Sequence, residues 1–450
     1  MKKIFNVLVL AIFAACMICL AGCEASADYE ERIIKLEEAL AKQTATNDEY
    51  DSLIVDYEDR IASLETEVNR LKTTSKQTTT KLAEDEAKLS KLEGDVENMV
   101  SASDTSIKVY LADQYYLVVG DTFQLFFRSV IRAVDPYGYY LRVTGDQGYT
   151  YTRYFEFTPT TAGTFNLKLE VCDNNGNVLG EDSTKLIVAD KKKTTDKEKT
   201  ILCIGDSLTS SGDWVSRGIS KYKTAGGVPT TVGTIKKTVN SVQYNYEGRA
   251  GWQWSSYLGR YDSSTVSPFT VDGTNPSIRD YCTRNGFGEI TDFYIMMTFN
   301  GLPGTFTEFT FDTTFIKQAK QLIDLIHSEY PNAKITLMNL PLTSTYSGLG
   351  AYYGVSKAYG DNYGKAVTVY HYGDFLESWC KLPEYKSFMR YLDIKAQFDS
   401  EYNMPYEQKN VNTTNSSVKE PYGTSMGMHP TVAGYNQIGD AVYRALMSNW

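Results

Sequence analysis

Only three histidines, His327, His371 and His429, occur in the 450 residues of this chain. Chemistry that needs an imidazole base is therefore confined to three positions. Cysteine is sparse too: seven in all, with Cys16, Cys19 and Cys23 crowded at the N-terminus. The other four, Cys172, Cys203, Cys282 and Cys380, are too scattered for a disulfide framework, although a Cys282–Cys380 bridge stays open. None of the four has a Cys-x-x-Cys or comparable ligand spacing, so neither a metal nor another cofactor is implied. Positive charge is also short, with 45 Lys and Arg against 55 Asp and Glu and a formal charge of −10. The one basic cluster, Lys191–Lys192–Lys193, has no aromatic residues interleaved. Nucleic acid is not an expected partner.

Glycine and proline are missing from the long stretch between Cys23 and Gly94. Counting in alternating steps of four and three from Tyr29 gives Ile33, Leu36, Leu40, Tyr50, Ile54, Ile61, Leu64, Val68, Leu71, Leu82, Leu89 and Val96 in one unbroken register. Polar residues interrupt it at Gln43–Asn47 and Ser75–Thr78. Sustained apolar heptads predict a long α-helical coiled coil over residues 23–103, a stalk through which the chain forms a homo-oligomer. A solvated single helix or a folded-back hairpin are the alternatives, and the seam carries no clear dimer or trimer code.

Ahead of the stalk, Lys2 and Lys3 precede an apolar stretch from Ile4 to Leu20 that ends in Leu20-Ala21-Gly22-Cys23. A basic start, a short apolar core and small residues before a cut read as a secretory signal. The ending resembles the bacterial lipobox. That resemblance implies a lipoprotein signal peptide over residues 1–22 and diacylglycerol on Cys23. It also implies attachment to a bacterial cell membrane, facing the extracellular side. A plain signal peptide or an N-terminal membrane helix is the alternative.

After the stalk the pattern changes to short alternating runs, at Tyr116–Val119, Thr122–Phe127 and Gly163–Val171, with a hairpin-type turn at Asp173–Asn177. Residues 105–190 are expected to form a small β-sandwich. They resemble the Ig-like modules that precede bacterial surface enzymes, as a spacer or as a sugar binder. Residues 191–199 read as a polar linker.

Residues 200–450 alternate strand-like runs (201–204, 293–297, 335–339 and 366–370) with helical patterns (212–222, 313–330 and 432–447). This predicts an α/β domain with a parallel sheet and helices on both faces. The stretches 252–290, 341–365 and 395–425 read as long loops that build a cleft. The run Ile201–Ile204 is continuous and apolar, as in a strand buried on both faces. Gly205 then allows a turn, and Asp206 and Ser207 fall at the carboxyl end, where α/β sheets bind ligands. A helix N-cap is the plainer role for this pair.

Gly205-Asp206-Ser207 resembles the first block of the SGNH/GDSL hydrolase family. Gly248-Arg249-Ala250-Gly251-Trp252, Thr298-Phe299-Asn300-Gly301 and Met428-His429-Pro430-Thr431 resemble its later blocks, in the family's order. The resemblance spans roughly residues 199–450. It implies a three-layer α/β hydrolase domain in which Ser207 is the nucleophile and His429 the base. The oxyanion hole would be built from the Ser207 and Gly251 N–H groups and the Asn300 amide. Two departures stand out. Asn300 is flanked by Thr298 and Gly301 rather than set in Gly-x-Asn-Asp, and Met426 occupies the place where the family usually has an Asp. The imidazole must then act in an unaided dyad, be oriented by a backbone carbonyl, or borrow a carboxylate, for which Asp399 is the candidate.

The other histidines read differently. His327 ends a helical pattern (Phe315, Ala319, Leu322, Ile326) as a dipole partner, and His371 closes the strand-like run Val367–Tyr370. Pro430 keeps His429 out of helical geometry, on a loop just before the last helix. The chain holds 34 Tyr, and Trp252 and Trp254 adjoin the oxyanion glycine. Aromatic faces of this kind suit sugar rings. The expected function is a cell-surface serine esterase acting on an acylated carbohydrate, with acetyl as the favoured acyl group. A lipase or esterase for simpler acyl esters is the first alternative. A catalytically inert carbohydrate-binding adhesin is the second.

Overall fold

Residues 107–189 form strands because their apolar side chains recur in alternation between turns. The strands are β1 (Lys108–Val109), β2 (Gln114–Val118), β3 (Phe123–Phe126), β4 (Ile131–Arg132), β5 (Tyr140–Gly145), β6 (Tyr149–Thr150), β7 (Tyr154–Phe157), β8 (Gly163–Cys172) and β9 (Val178–Ala189). The computed structural model describes residues 30–31, 34–35, 59–82, 107–192, 198–297, 300–302, 308–344, 362–423 and 427–448. A four-stranded sheet in the order β2-β9-β8-β5 and a three-stranded sheet in the order β3-β7-β6 share one apolar core. Leu117, Leu169 and Leu186 face Leu125, Phe155 and Phe157 in it. The β8–β9 hairpin turns where the sequence indicated. Asp173 Oδ1 accepts the Asn175 and Asn177 N–H groups at 2.8 and 2.9 Å, and Gly176 takes a φ of 84° that suits glycine.

A seven-stranded sheet is built on β10 (Lys199–Gly205), with β11 (Pro229–Val232), β12 (Ile235–Val239), β13 (Val242–Gly248), β14 (Asp292–Met296), β15 (Lys334–Met338) and β16 (Met389–Leu392). The order is β12-β13-β10-β14-β15-β16, with β11 also pairing β10. Every pair is parallel except β12–β13. Ile201–Ile204 sit at its centre and are fully buried, as an apolar run flanked by parallel neighbours should be. Helices Asp213–Thr224 and Val432–Met447 pack closely, because Gly218 and Gly439 leave no side chain between them. Helix Thr314–Glu329 packs with the shorter Trp254–Leu258 and Ile278–Asn285. The chain thus has mixed α/β content around a mainly parallel sheet.

Several expectations are corrected. The run at 366–370 is not a strand but part of helix Asn362–Lys381. Its β-branched residues favour strand locally, yet Val369, Tyr372, Leu376 and Trp379 recur at helical spacing and are all buried. The edge strand is instead β16, whose Arg390 concealed it. The stretches 252–290 and 395–425 are not structureless. The first holds two helices, and the second a hairpin of β17 (Tyr406–Asn410) and β18 (Lys419–Gly423). Lys199, read as linker, is in β10 and pairs with Asp292 at 2.9 Å. The four cysteines are buried and free, so Cys282 and Cys380 are not bridged.

Residues 106–450 form one compact unit. The sandwich and the α/β layer are therefore not beads on a linker. Tyr110, Tyr116 and Val118 belong to the core of the α/β layer, and Ala396 to that of the sandwich. The Phe126 N–H donates to the Ala396 carbonyl at 2.8 Å. Tyr115 OH donates to Asp393 at 2.9 Å, and buried Arg444 pairs with Asp121 at 2.7 Å.

The N-terminal unit is described mainly by a helix over residues 59–82. The Thr66, Thr73, Thr74, Thr78, Thr79 and Thr80 hydroxyls each donate to the carbonyl four residues earlier, the local bond that a threonine makes inside a helix. Leu64, Leu71 and Leu82 on the predicted seam are 37, 38 and 59% exposed in the single chain. The signal segment, Cys23 and most of the expected stalk lie outside the described residues. Among the described residues no helix is long and apolar enough to cross a membrane.

Candidate active site

The central strand of the sheet delivers the serine. At Gly205 the chain passes so close to Thr209 and the Met296 carbonyl that a Cβ would collide with both. This is why β10 can turn abruptly at its carboxyl end. Asp206, fully buried, caps the turn that follows, its Oδ1 accepting the Leu208 N–H at 2.9 Å. The Asp thus plays the plain cap role, and it frees the next residue for another. Ser207 is the first residue of the helical turn Ser207–Ser210, where a backbone N–H has no intrahelical acceptor.

His429 arrives from the far end of the chain. Gly427, at φ 65°, turns the backbone, and its carbonyl accepts the Ser344 N–H at 2.7 Å. Pro430 then separates the histidine from the final helix. Thr431 caps that helix by accepting the Gly434 N–H at 3.2 Å. His429 Nε2 lies 2.8 Å from Ser207 Oγ, across a sequence separation of 222 residues. For Nε2 to accept the serine proton, Nδ1 must carry the imidazole hydrogen.

Asp399 is not brought to the imidazole. Its Oδ1 is held by Arg153 of the sandwich and accepts the Glu401 and Tyr402 N–H groups at 3.0 and 3.2 Å. All three contacts fall on Oδ1, and among the described residues neither Asp399 oxygen is hydrogen-bonded to His429. Among the described residues no carboxylate is hydrogen-bonded to His429. Met426 lies outside them.

The oxyanion candidates converge from two loops. Gly251 takes a φ of 81°, a left-handed backbone that favours glycine, and its Cα faces the Tyr261 hydroxyl. Asn300 follows β14 and donates through Nδ2 to the Trp252 carbonyl at 3.1 Å, which fixes the amide beside the Gly251 loop. One Nδ2 hydrogen goes to Trp252, and the amide carries a second. Thr298 and Phe299 lie outside the described residues.

Sequence reasoning missed what holds the Gly251 loop. Glu247, completely buried at the end of β13, accepts Tyr281 OH at 2.6 Å, the Thr234 N–H and O–H at 2.7 and 2.6 Å, and Arg249 Nη2 at 2.7 Å. Arg249 in turn lies over the Trp252 ring at 5.0 Å, and its N–H donates to the Gly205 carbonyl at 2.9 Å. The alternation of Tyr244 and Tyr246 as buried residues placed Glu247 on the opposite parity. Nothing local therefore announced its burial. Burial and the Glu247 charge together push the Tyr281 phenol well above its ordinary range.

The aromatic expectation also changes. Trp252 and Trp254 are 3 and 1% exposed, so neither can offer a face to a sugar. Tyr261, 46% exposed, stacks on Trp252 at 5.7 Å, near-parallel. It is the open ring next to the Gly251 loop. His327 stacks on Phe388 at 3.6 Å and His371 meets Tyr110 edge-on at 6.0 Å. Both histidines pack within the fold, away from Ser207.

Burial holds the His429 imidazole below its ordinary value of 6.5, because the charged form loses hydration. A general base acts in its neutral form, and a lowered pKa keeps it neutral to lower pH. The acid limb of a kcat/KM profile on a small acetate ester is therefore expected below pH 6.5. A limb at about 7 or above would mean that a carboxylate reaches the ring.

No family model matches the chain, and no curated protein matches it. Among solved structures it is similar to a family two carbohydrate esterase from Cellvibrio japonicus, at 12% identity over 77% of this chain and 96% of that one, with a TM-score of 0.29. It is similar to an extracellular lipase from Streptomyces rimosus, at 11% identity over 54% of this chain and 99% of that one, with a TM-score of 0.30. It is also similar to the periplasmic domain of a lipopolysaccharide acetyltransferase from Salmonella ser. Paratyphi A, at 13% identity over 56% of this chain and 85% of that one, with a TM-score of 0.29.

Proposed function

We propose that this chain is a cell-surface serine esterase that removes acyl groups, acetyl above all, from a carbohydrate polymer and uses no cofactor. The observation that carries the reading is the 2.8 Å approach of His429 Nε2 to Ser207 Oγ at the carboxyl edge of the sheet. His429 takes the hydroxyl proton as Oγ attacks the ester carbonyl carbon. The oxyanion that forms lies among the N–H groups of Ser207 and Gly251 and the Asn300 amide. Collapse expels the sugar hydroxylate, which takes the proton from His429. A water molecule, deprotonated by the same imidazole, then releases the acid and restores Ser207.

The carbohydrate part of the reading is supported by Tyr261, an exposed ring with a polar tip backed by a buried tryptophan. A lipid on Cys23 and a self-associating stalk over residues 23–103 complete the proposal; the lipobox-like ending and the continuous heptad register support them. Acetate release from a panel of acetylated polysaccharides, run beside p-nitrophenyl esters of increasing chain length, tests the substrate class. Acetyl esters and acetylated glycans should be turned over fastest. Preference for long chains would favour the lipase alternative. No turnover of any ester would favour the inert adhesin.

A further inference from the structure

We infer that Arg153, a residue of the β-sandwich, is a positioning residue for His429. The inference rests on the reading of Ser207 and His429 as the reacting pair, and it concerns what aims the imidazole. In a serine hydrolase a third group usually keeps the imidazole in its working orientation, and here no carboxylate among the described residues is bonded to the ring. The loop that bears it is tied down by another route.

The route begins in the sandwich. Arg153 reaches Asp399 through Nη2, and its Nε donates to Glu401 Oε2 at 2.8 Å. Its guanidinium also lies 4.4 Å from the Tyr402 ring centre. Tyr137 OH donates to the same Glu401 oxygen at 2.8 Å and Arg128 Nε lies 3.7 Å from Glu401 Oε1, so three sandwich side chains grip one short segment. Asp399 closes that segment into a turn by accepting the Glu401 and Tyr402 N–H groups, and the Asp399 carbonyl accepts the Asn403 N–H at 2.9 Å. The Asn403 carbonyl then accepts both the N–H and the hydroxyl of Thr431, at 2.9 and 3.1 Å. Thr431 stands two residues beyond His429, across the stiff Pro430. Gln437 of the final helix adds a second tie. Its Oε1 accepts the Asp399 N–H at 3.0 Å and Asn403 Nδ2 at 2.7 Å.

Every link is a hydrogen bond of ordinary length or an ion pair, and Asp399 is only 8% exposed. Arg is suited to the first link because its planar fork engages two carboxylates at once. The sandwich is on this account a working part of the active site, although none of its residues is placed at the reacting atoms. Asp399 takes part as well, two hydrogen bonds away from Thr431 rather than on the imidazole.

The test uses the full chain and p-nitrophenyl acetate, with rates normalised to the Ser207 sites that a fluorophosphonate titrates. Arg153→Met is expected to lower kcat per titrated site about 10- to 100-fold, the range that misplacing a catalytic group by about 1 Å produces, with KM within about twofold of wild type. Arg153→Lys should recover part of the loss, because it restores charge without the fork. Should Arg153→Met fail to fold, Glu401→Gln, which keeps the side-chain shape, is expected to shift kcat in the same direction. An unchanged kcat per titrated site in the folded variants would overturn the inference while leaving the serine mechanism intact. Failure of that mechanism would show separately, as equal turnover by wild type and Ser207→Ala.

Discussion

Ser207→Ala is expected to lower ester turnover on the order of 10⁴-fold or more, and His429→Ala by a comparable factor. The size follows from the division of labour. A serine hydroxyl is a weak nucleophile at neutral pH, and on the proposed mechanism the imidazole 2.8 Å away is the base that activates it. Neither His327 nor His371 can substitute, because each is packed against aromatic residues elsewhere in the fold. Since the pair acts as a unit, the double variant should be little worse than either single one. Steady-state kinetics on p-nitrophenyl acetate checks all three. KM should change little, because the two groups act on the transition state rather than on the bound ester. Two independent losses that multiplied would mean that Ser207 and His429 serve different steps.

Asn300→Ala carries the second largest expected effect, a fall in kcat of about 100- to 1000-fold. The Asn300 amide is pre-set by its bond to the Trp252 carbonyl at 3.1 Å, so no reorganisation is needed when negative charge develops on the substrate oxygen. Its value arises only as that charge forms, which places the loss in kcat and leaves KM nearly unchanged. The same substitution also releases the Trp252 carbonyl. Melting temperature measured alongside the kinetics separates the two consequences: a large kinetic loss with a small thermal shift is the expected pattern. A loss confined to KM would remove Asn300 from the oxyanion hole.

The parts of this molecule that were legible beforehand are those with short-range signatures. Ile201–Ile204 announces a buried parallel strand by being apolar without interruption, and the glycine and serine that follow mark its carboxyl end. Pro430 marks a boundary, and the regular apolar spacing after it marks the last helix. A turn such as Asp173–Asn177 carries its own hydrogen-bonding side chains.

What stayed hidden depends on contacts across the fold. Val367–Tyr370 has strand-favouring residues, yet the helix is decided by partners that bury Val369, Tyr372, Leu376 and Trp379. Trp252 and Trp254 look like a binding platform in the sequence. Both are buried, Trp252 because Tyr257, Tyr261 and Arg249 close around it, and no local pattern reports that. Asp399 is a carboxylate at a plausible distance along the chain, but the guanidinium that claims it comes from a residue 246 positions earlier. Glu247 was silent for the same reason, its partners Thr234 and Tyr281 being 13 and 34 residues away. Buried charges need partners, and partners at long range leave no local trace.

The most direct measurement of the central claim is the site and rate of covalent capture by a fluorophosphonate, read by mass spectrometry of the digested protein. The account predicts a single adduct on Ser207, with a rate that falls steeply in His429→Ala and declines below pH 6.5 in the wild type as the imidazole becomes protonated. No adduct, an adduct on another residue, or a Ser207 adduct that forms equally fast without His429 would contradict it.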